Sequence, residues 1–444
     1  MSNGLPRGWA ATTLGEIFDF KYGKGLPQEK RNVKGSVRVY GSNGVVGAHD
    51  KAVTKGQAIV VGRKGSVGEV HISSEACWPI DTTYFIDEFP CELPPSYWAL
   101  YLKSLRLGQQ EKSSAIPGIS REDIYETETS VPPLPEQRRI VAKLEKLLGK
   151  VNTCQQRLAK IPLLLKRFRQ SVLAAACSGR LTADWREANR LQDDFEEATV
   201  NEIAEYVGGF AYKSPTFLER GRHQVIRIGN VRPVSLNLKA SPVFIPVDIA
   251  QQTRRFRLRP DDIVISMTGT KYKKDYGCAA IVCESDSSLF LNQRVARLRC
   301  GDRALPKYLL YWLQTDAYRD FFFAGETGNV NQGNVGADGI RKAPIKLPPL
   351  AEQHEIVRRV DRLFTLADQI EARFAKAKAR VNQLTQSLLA KAFNGELVPQ
   401  NPNDEPASVL LERIKTERTK REMEIKGYEA GKGKATKGRI KKKH

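Results

Sequence analysis

The sequence predicts an α+β fold: two small α/β domains separated by two long helices that form an antiparallel coiled coil, the whole a pseudo-twofold tandem repeat. Three observations carry that prediction. First, PPLPEQRRIV at 132 returns as PPLAEQHEIV at 348. The match runs without a gap across fifty positions, 132–181 against 348–397, with 18 identities that include Glu136/Glu352, Gln137/Gln353, Ile140/Ile356 and Gly179/Gly395. Composition alone would give about three. Second, within each copy apolar residues recur at alternating steps of four and three, the spacing of a coiled-coil seam. Third, the stretch before each copy holds short apolar runs bounded by Gly, Pro and Asn, the pattern of strands and turns in a small domain.

In chain order the expected parts are an N-terminal domain over 1–131, a first long helix over 132–181, a connector over 182–201, a second domain over 202–347, a second long helix over 348–397, and a C-terminal segment over 398–444 with a basic, disordered tail. The first seam runs through Ile140, Leu144, Leu147, Val151, Cys154, Leu158, Ile161, Leu165, Phe168 and Val172. The second runs through Ile356, Val360, Leu363, Ala367, Ile370, Phe374, Ala377, Val381, Leu384 and Leu388. A period of 3.5 implies a left-handed supercoil. Pro135 with Glu136 suits a first turn, Ser178-Gly179 and Asn394-Gly395 suit C-terminal caps, and Pro162 is expected to bend the first helix. At 1.5 Å per residue each helix is roughly 60 Å long. So long a helix needs an apolar partner: the other copy in the same chain, or the helix of a second chain.

The two domains correspond weakly in sequence. LGEIFDFKYGKG at 14 matches VNEIAEYVGGFA at 200, IVVGRKGSVG at 59 matches IVISMTGTKY at 263, and YWALYL at 97 matches YLLYWL at 308. Elsewhere they diverge, as expected if one scaffold carries two different recognition surfaces.

Charge points to a polyanion. The chain of 444 residues has 71 Lys and Arg against 50 Asp and Glu, a net charge of +21, and cations that neutralise phosphates release counterions on binding. The excess is uneven: 1–131 is balanced at 15 basic and 15 acidic residues, whereas 132–181 carries 11 against 2. Glycine-rich loops with Arg, Lys, Asn, Gln and Ser suit base and phosphate contacts. In the first domain the candidates are Lys24, Tyr40, Ser42, Asn43, Arg63, Lys64, Ser66, Ser113 and Ser114; in the second they are Arg227, Asn230, Thr268, Lys271, Lys273, Lys274, Asn292, Gln293, Asn329, Asn331 and Gln332. Ordinary hairpin turns use the same residue types, and that alternative stands beside the functional one.

Catalytic signatures are missing. No phosphate-binding GxxxxGK[ST] loop or Gly-x-Ser-x-Gly elbow is present, and Gly62, Gly65 and Gly68 are spaced wrongly for a dinucleotide fingerprint. Asp261-Asp262 lacks a downstream acidic-x-Lys element and reads as a strand-entry turn. The seven cysteines are scattered without a CxxC pair, so buried reduced thiols and no metal are expected. No apolar run is long enough for a membrane span or signal peptide, and a cytoplasmic protein is expected.

The helix openings LPPLPEQ and LPPLAEQ, the endings SVLAAACSGRL and SLLAKAFNGEL, and the domain starts TLGEI and VNEI resemble the specificity subunits of type I restriction-modification systems of bacteria and archaea. The resemblance covers nearly the whole chain. It implies two target-recognition domains, each reading one half of a split, asymmetric site on double-stranded DNA, with the coiled coil as spacer. It implies as partners two methyltransferase subunits and two restriction subunits. S-adenosylmethionine, ATP and Mg would belong to those partners, with no cofactor in this chain. The family's amino-methylating tetrapeptide, Asn or Asp followed by two prolines and an aromatic, is absent here. The resemblance further implies a circular scaffold, in which the stretch from Asp404 joins the N-terminal segment and the stretch from Asp184 is its central counterpart. A methyltransferase or nuclease in its own right, or a helical adaptor binding only proteins, are the competing readings.

Overall fold

The computed structural model describes residues 4–109, 118–191, 195–328 and 331–440. The chain divides into two compact units, one made of 1–158 with 377–444 and the other of 159–376.

In the first unit, strands Ala10–Thr13 and Glu128–Val131 pair antiparallel and tie the start of the N-terminal domain to its end. Between them lies a four-stranded antiparallel sheet in the order Lys21–Tyr22, Thr83–Ile86, Ala58–Gly62, Val70–Ser73. The apolar run AIVV at 58–61 is buried on both faces, which is why it does not alternate with polar residues. Ile59 and Val61 meet Tyr97, Trp98 and Leu102 of the helix Pro95–Ser104, while Ala58 and Val60 meet Tyr40, Cys77 and Phe85. Strands point successive side chains to opposite faces, so one short run anchors two clusters.

The second unit repeats this plan. Glu196–Thr199 pairs with Pro344–Leu347, and a four-stranded antiparallel sheet runs in the order Ala204–Gly208, Val295–Cys300, Ile263–Ser266, Ala279–Ile281. Helix Pro306–Trp312 packs its buried Tyr308, Leu309 and Trp312 in the same cluster as Ile263 and Ile265. All three sequence correspondences fall on matching elements. Both domains also hold a parallel pair: Val39 and Tyr40 beside Trp78 and Pro79 in the first, and His223–Ile226 beside Ser288–Leu291 in the second, the latter around Tyr212, Val225, Ile245 and Phe290.

The first long helix runs Leu134–Ala159, is interrupted at Lys160, and resumes as Ile161–Cys177. Pro162 sits in the first turn of the resumed segment, where its missing N–H costs nothing. The second runs unbroken for 44 residues, Leu350–Phe393. Pairing is antiparallel within each unit. In the first, Ile140 and Leu144 share a cluster with Leu388 and Ala392, and Gln155 Nε2 donates to Asn382 Oδ1 at 3.5 Å. In the second, Val172 and Ala176 share a cluster with Ile356 and Val360, while Arg169 reaches Asp368 at 2.6 Å and Glu371 at 3.0 Å. The seam is thus closed inside one chain. Ile140, Leu144, Val151, Leu165 and Ile356 are buried, and Leu147, Leu158, Leu363, Phe374, Val381 and Leu388 are half-buried. Ile370 departs from the expected seam at 40% exposed. Arg169 bridges to Asp368 and Glu371 on either side of it, so a polar contact takes the place of an apolar knob. Cys154, Phe168 and Leu384 are exposed as well.

The C-terminal segment closes onto the N-terminal domain. Ala407 N–H donates to Gly8 O at 2.8 Å, and Ala407, Leu410 and Ile414 enter the cluster of Leu14 and Ile17. Arg418 donates to Gly15 O at 2.6 Å, and Arg421 pairs with Glu88 at 3.0 Å. Helix Ala407–Ile440 covers most of the stretch from Asp404 that joins the N-terminal domain and continues past Arg421 through the basic tail expected to be disordered. Residues 441–444 lie outside the described part.

All seven cysteines are unbridged, but the expectation of burial fails for Cys154 and Cys283, which are exposed on a helix flank and a strand-end loop. Among the described residues, no His, Cys, Asp and Glu cluster has the grouping for a metal ion, and no helix is long and apolar enough to cross a membrane.

Candidate nucleic-acid interface

In each domain three loops meet at one edge of the four-stranded sheet, held by the same backbone bonds. Gly23 N–H donates to Thr83 O at 3.0 Å and Lys24 N–H to Pro79 O at 2.9 Å; in the second domain Gly209 N–H donates to Val295 O at 3.1 Å and Phe210 N–H to Leu291 O at 3.0 Å. Arg63 N–H donates to Thr82 O at 2.9 Å, and Met267 N–H to Arg294 O at 3.0 Å. A third segment then caps the loop: Ile119 N–H donates to Arg63 O at 3.2 Å, and Val335 N–H to Met267 O at 3.0 Å.

Only glycine fits where the first loop crosses the second. A Cβ on Gly23 would lie 2.0 Å from Ile80 O, and one on Gly209 would lie 1.9 Å from Asn292 O. Backbone cannot yield as a side-chain tip does, so Gly23→Ala and Gly209→Ala are each expected to destabilise their own unit by about 1–3 kcal/mol. Thermal unfolding checks this, and unchanged midpoints would show that the loops are free to separate.

In the first domain the edge gathers Lys24, Ser42, Asn43, Arg63, Lys64 and Ser66. Lys24 is exposed with its ammonium 6.0 Å from the Trp78 ring, and Trp78 Nε1 donates to Lys24 O at 2.8 Å. Asn43 is exposed and Ser42 half-buried, the carbonyl of Ser42 lying 3.4 Å from His71 Nε2. A Cβ on Gly62 would meet both Ser66 O and Ser42 Cβ, so the two loops touch. Lys64 is exposed and bridges to Gly118. Tyr40 is a correction: it is 4% exposed among Ala58, Val60, Cys77 and Phe85, because a strand residue facing the sheet is core whatever loop follows it. The aromatic members Tyr22, Tyr84 and Trp78 lie on strands outside the glycine loops and are not among the candidates; Arg121 opens the short helix Arg121–Tyr125 at the end of the glycine-containing stretch 112–123 and is not among them either. Burial first of all, with Tyr22 beside it, pushes the Tyr84 phenol up to about 12, and it remains a neutral donor, bonded to Ile119 O at 3.2 Å.

The second domain's edge carries its charge on the loop between Ser266 and Gly277. Lys273 and Lys274 are exposed and Lys271 half-buried. Tyr272 is 72% exposed with the Lys273 ammonium 6.0 Å from its ring, and Lys274 and Arg319 both lie over Phe323, at 5.0 Å and 5.1 Å. Asp275 pins the loop: its carboxylate accepts from Thr270 N–H at 2.7 Å, which holds it below the usual carboxylate range. Gln293, Asn331 and Gln332 are exposed, and Asn292 is half-buried against Gly209. Thr268 is 8% exposed and belongs to a strand paired with Asn334. Asn230 is a second correction. At 1% exposed, it accepts from Arg227 N–H and donates to Asn237 O and Ala240 O, so it ties a loop together rather than facing a ligand. The guanidinium of Arg227 is spent on Ser241 O at 2.7 Å. Ser113, Ser114 and Asn329 lie outside the described residues.

Residues 6–163 and 192–378 match the family model described as type I restriction modification DNA specificity domain. The type I restriction enzyme EcoDI specificity subunit of Escherichia coli is 30% identical over 93% of this chain and 96% of its own length. The EcoBI specificity subunit of Escherichia coli is 33% identical over 69% of this chain and 68% of its own. Among solved structures, a chain from work on the structural basis of complex assembly and conformational transition of the type I R-M system aligns with a TM-score of 0.67 at 18% identity, covering 88% of this chain and 99% of that one. The HsdS subunit from Thermoanaerobacter tengcongensis aligns with a TM-score of 0.56 at 19% identity, over 89% of this chain and all of that one. At these identities the structures speak for the fold.

Proposed function

The chain belongs to the type I restriction modification DNA specificity family, and from that premise we propose that it is the sequence-specific DNA-binding subunit of a type I restriction-modification complex. Each domain reads one half of a bipartite, asymmetric site with the loops gathered at its sheet edge. The paired helices set the spacer between the halves and offer the surface on which two methyltransferase subunits dock, two restriction subunits completing the assembly. The chain itself is non-catalytic and acts in the cytoplasm, and S-adenosylmethionine, ATP and Mg serve the partner subunits.

One observation carries this reading: a single backbone scaffold is used twice, with different side chains at the same edge. Direct readout depends on which donors and acceptors meet the base edges, so two unlike edges on like frames suit two unlike half-sites. Footprinting of the chain with its methyltransferase partner is expected to show two protected blocks separated by an unprotected spacer, resistant to scrambled competitor DNA at physiological salt. One continuous block, or equal competition by scrambled DNA, would refute it, because nonspecific binding rests on phosphate contacts alone.

A further inference from the structure

The deepest difference between the two sheet edges is a cluster of arginine and tyrosine that the first domain has and the second lacks. The Arg63 guanidinium lies 5.3 Å from the Tyr22 ring and 5.8 Å from that of Tyr84. The Arg121 guanidinium lies 5.1 Å from the same Tyr22 ring and 5.6 Å from Tyr125. Two cations thus share one aromatic ring. Neither has a carboxylate within ion-pair distance among the described residues, and the Nε of each is buried without a hydrogen-bond acceptor. Two adjacent guanidinium groups repel, and that cost is offset when an acceptor-rich ligand arrives.

The second domain shows what the scaffold needs and what it does not. Tyr22 opposite Tyr84 corresponds in register to Gly208 opposite Ala296. Arg63 corresponds to Met267, which makes the same backbone bonds and takes a hydrogen bond on Sδ from the Tyr206 hydroxyl at 3.5 Å. The sheet therefore folds without the cluster. Phosphate contacts position a protein on any sequence and would be wanted in both domains, whereas this cluster is confined to one.

We propose that Arg63, its guanidinium flanked by the rings of Tyr22 and Tyr84 and crowded by Arg121, reads a guanine in the half-site of the first domain, donating to O6 and N7. Arg121 is a positioning residue, which confines the Arg63 fork through the shared Tyr22 ring. A planar fork already confined by neighbouring side chains loses little freedom on binding, and a bidentate contact to guanine is the specific contact that arginine geometry favours. At the matching place the second domain presents the Met267 thioether, so its half-site has no guanine read in this way.

This proposal rests on the specificity-subunit reading, and one experiment separates the two. Bound sequences are selected from randomised duplex DNA by the full chain in complex with its methyltransferase partner, for the native chain, Arg63→Met and Arg63→Lys. Should the native chain select no bipartite sequence, the functional reading itself fails. Given a bipartite site, Arg63→Met is expected to lower the preference for one G·C pair in one half by about 10- to 100-fold, with the other half unchanged. Arg63→Lys is expected to recover little of it, since an ammonium keeps the charge but not the fork. Arg121→Ala is expected to weaken the same position and no other. Uniformly weaker binding with every base preference intact would make Arg63 a phosphate contact and overturn the proposal, as would an unaltered guanine preference. Because Met already occupies this place in the second domain, Arg63→Met keeps the fold, and an unchanged unfolding midpoint verifies that.

Discussion

Replacing Glu352 with alanine is expected to lower the stability of the second unit by about 3–5 kcal/mol, the usual penalty for removing one partner of a buried ion pair. Glu352 is fully buried and accepts from Arg186 at 2.6 Å and from Thr182 at 2.5 Å, and Arg186 is only 6% exposed. Alanine would leave the Arg186 cation in a dry site without this carboxylate. For a unit of this size the midpoint should fall by roughly 10 °C. The same position in the first copy is wired differently. Glu136 is also fully buried, but its donors are neutral, Trp9 Nε1 and Gln400 Nε2, both at 3.2 Å. Burial therefore raises its carboxyl above the ordinary range. A raised carboxyl pKa means that the folded state holds its proton more tightly, so its contribution is present at low pH and lost as pH rises through the folded pKa. Glu136→Gln is thus expected to cost far less than Glu352→Ala at neutral pH. Equal losses in calorimetry would show that the two motif glutamates play the same part.

Adding one heptad to each long helix at facing positions is expected to lengthen the spacer between the half-sites by about three base pairs. Seven residues at 1.5 Å add about 10 Å, against about 3.4 Å per base pair. Inserting in both helices keeps the seam in phase, since 3.5 residues per turn returns each apolar knob to its face after seven. Inserting in one helix alone should abolish binding to any bipartite site. An unaltered spacer after the double insertion, read from selected sequences, would remove the helices from that role.

Much of this fold was legible in the sequence because its strongest signals are periodic and duplicated. The PPLPEQ and PPLAEQ openings and the four-three spacing located both helices, and Pro162 located the break at Lys160. Ile370 fits the apolar period yet lies outside the seam, because Arg169 bridges Asp368 and Glu371 across it and periodicity carries no sign of that bridge. At the candidate interface the glycine loops were found, yet Tyr40 and Asn230 were not separable by residue type from their exposed neighbours. Tyr40 ends a strand whose inner face is core, and Asn230 closes its own loop with three backbone bonds. Tyr22 and Arg121 escaped notice because their partners are distant in sequence; Arg63 is brought to them only by the pairing of Tyr22 with Tyr84 and the bond from Ile119 N–H to Arg63 O. A cluster of this kind is a property of the sheet rather than of any segment.

The central claim is that the two domains read separately, each from its own edge. Exchanging residues 202–347 for the matching stretch of a relative with a different target tests it most directly, with the recognised sequence read by selection from randomised DNA. The expected result is a hybrid site: one half and the spacer as in the native chain, the other half taken from the donor. A hybrid that alters both halves together, or keeps the native site intact, would contradict it.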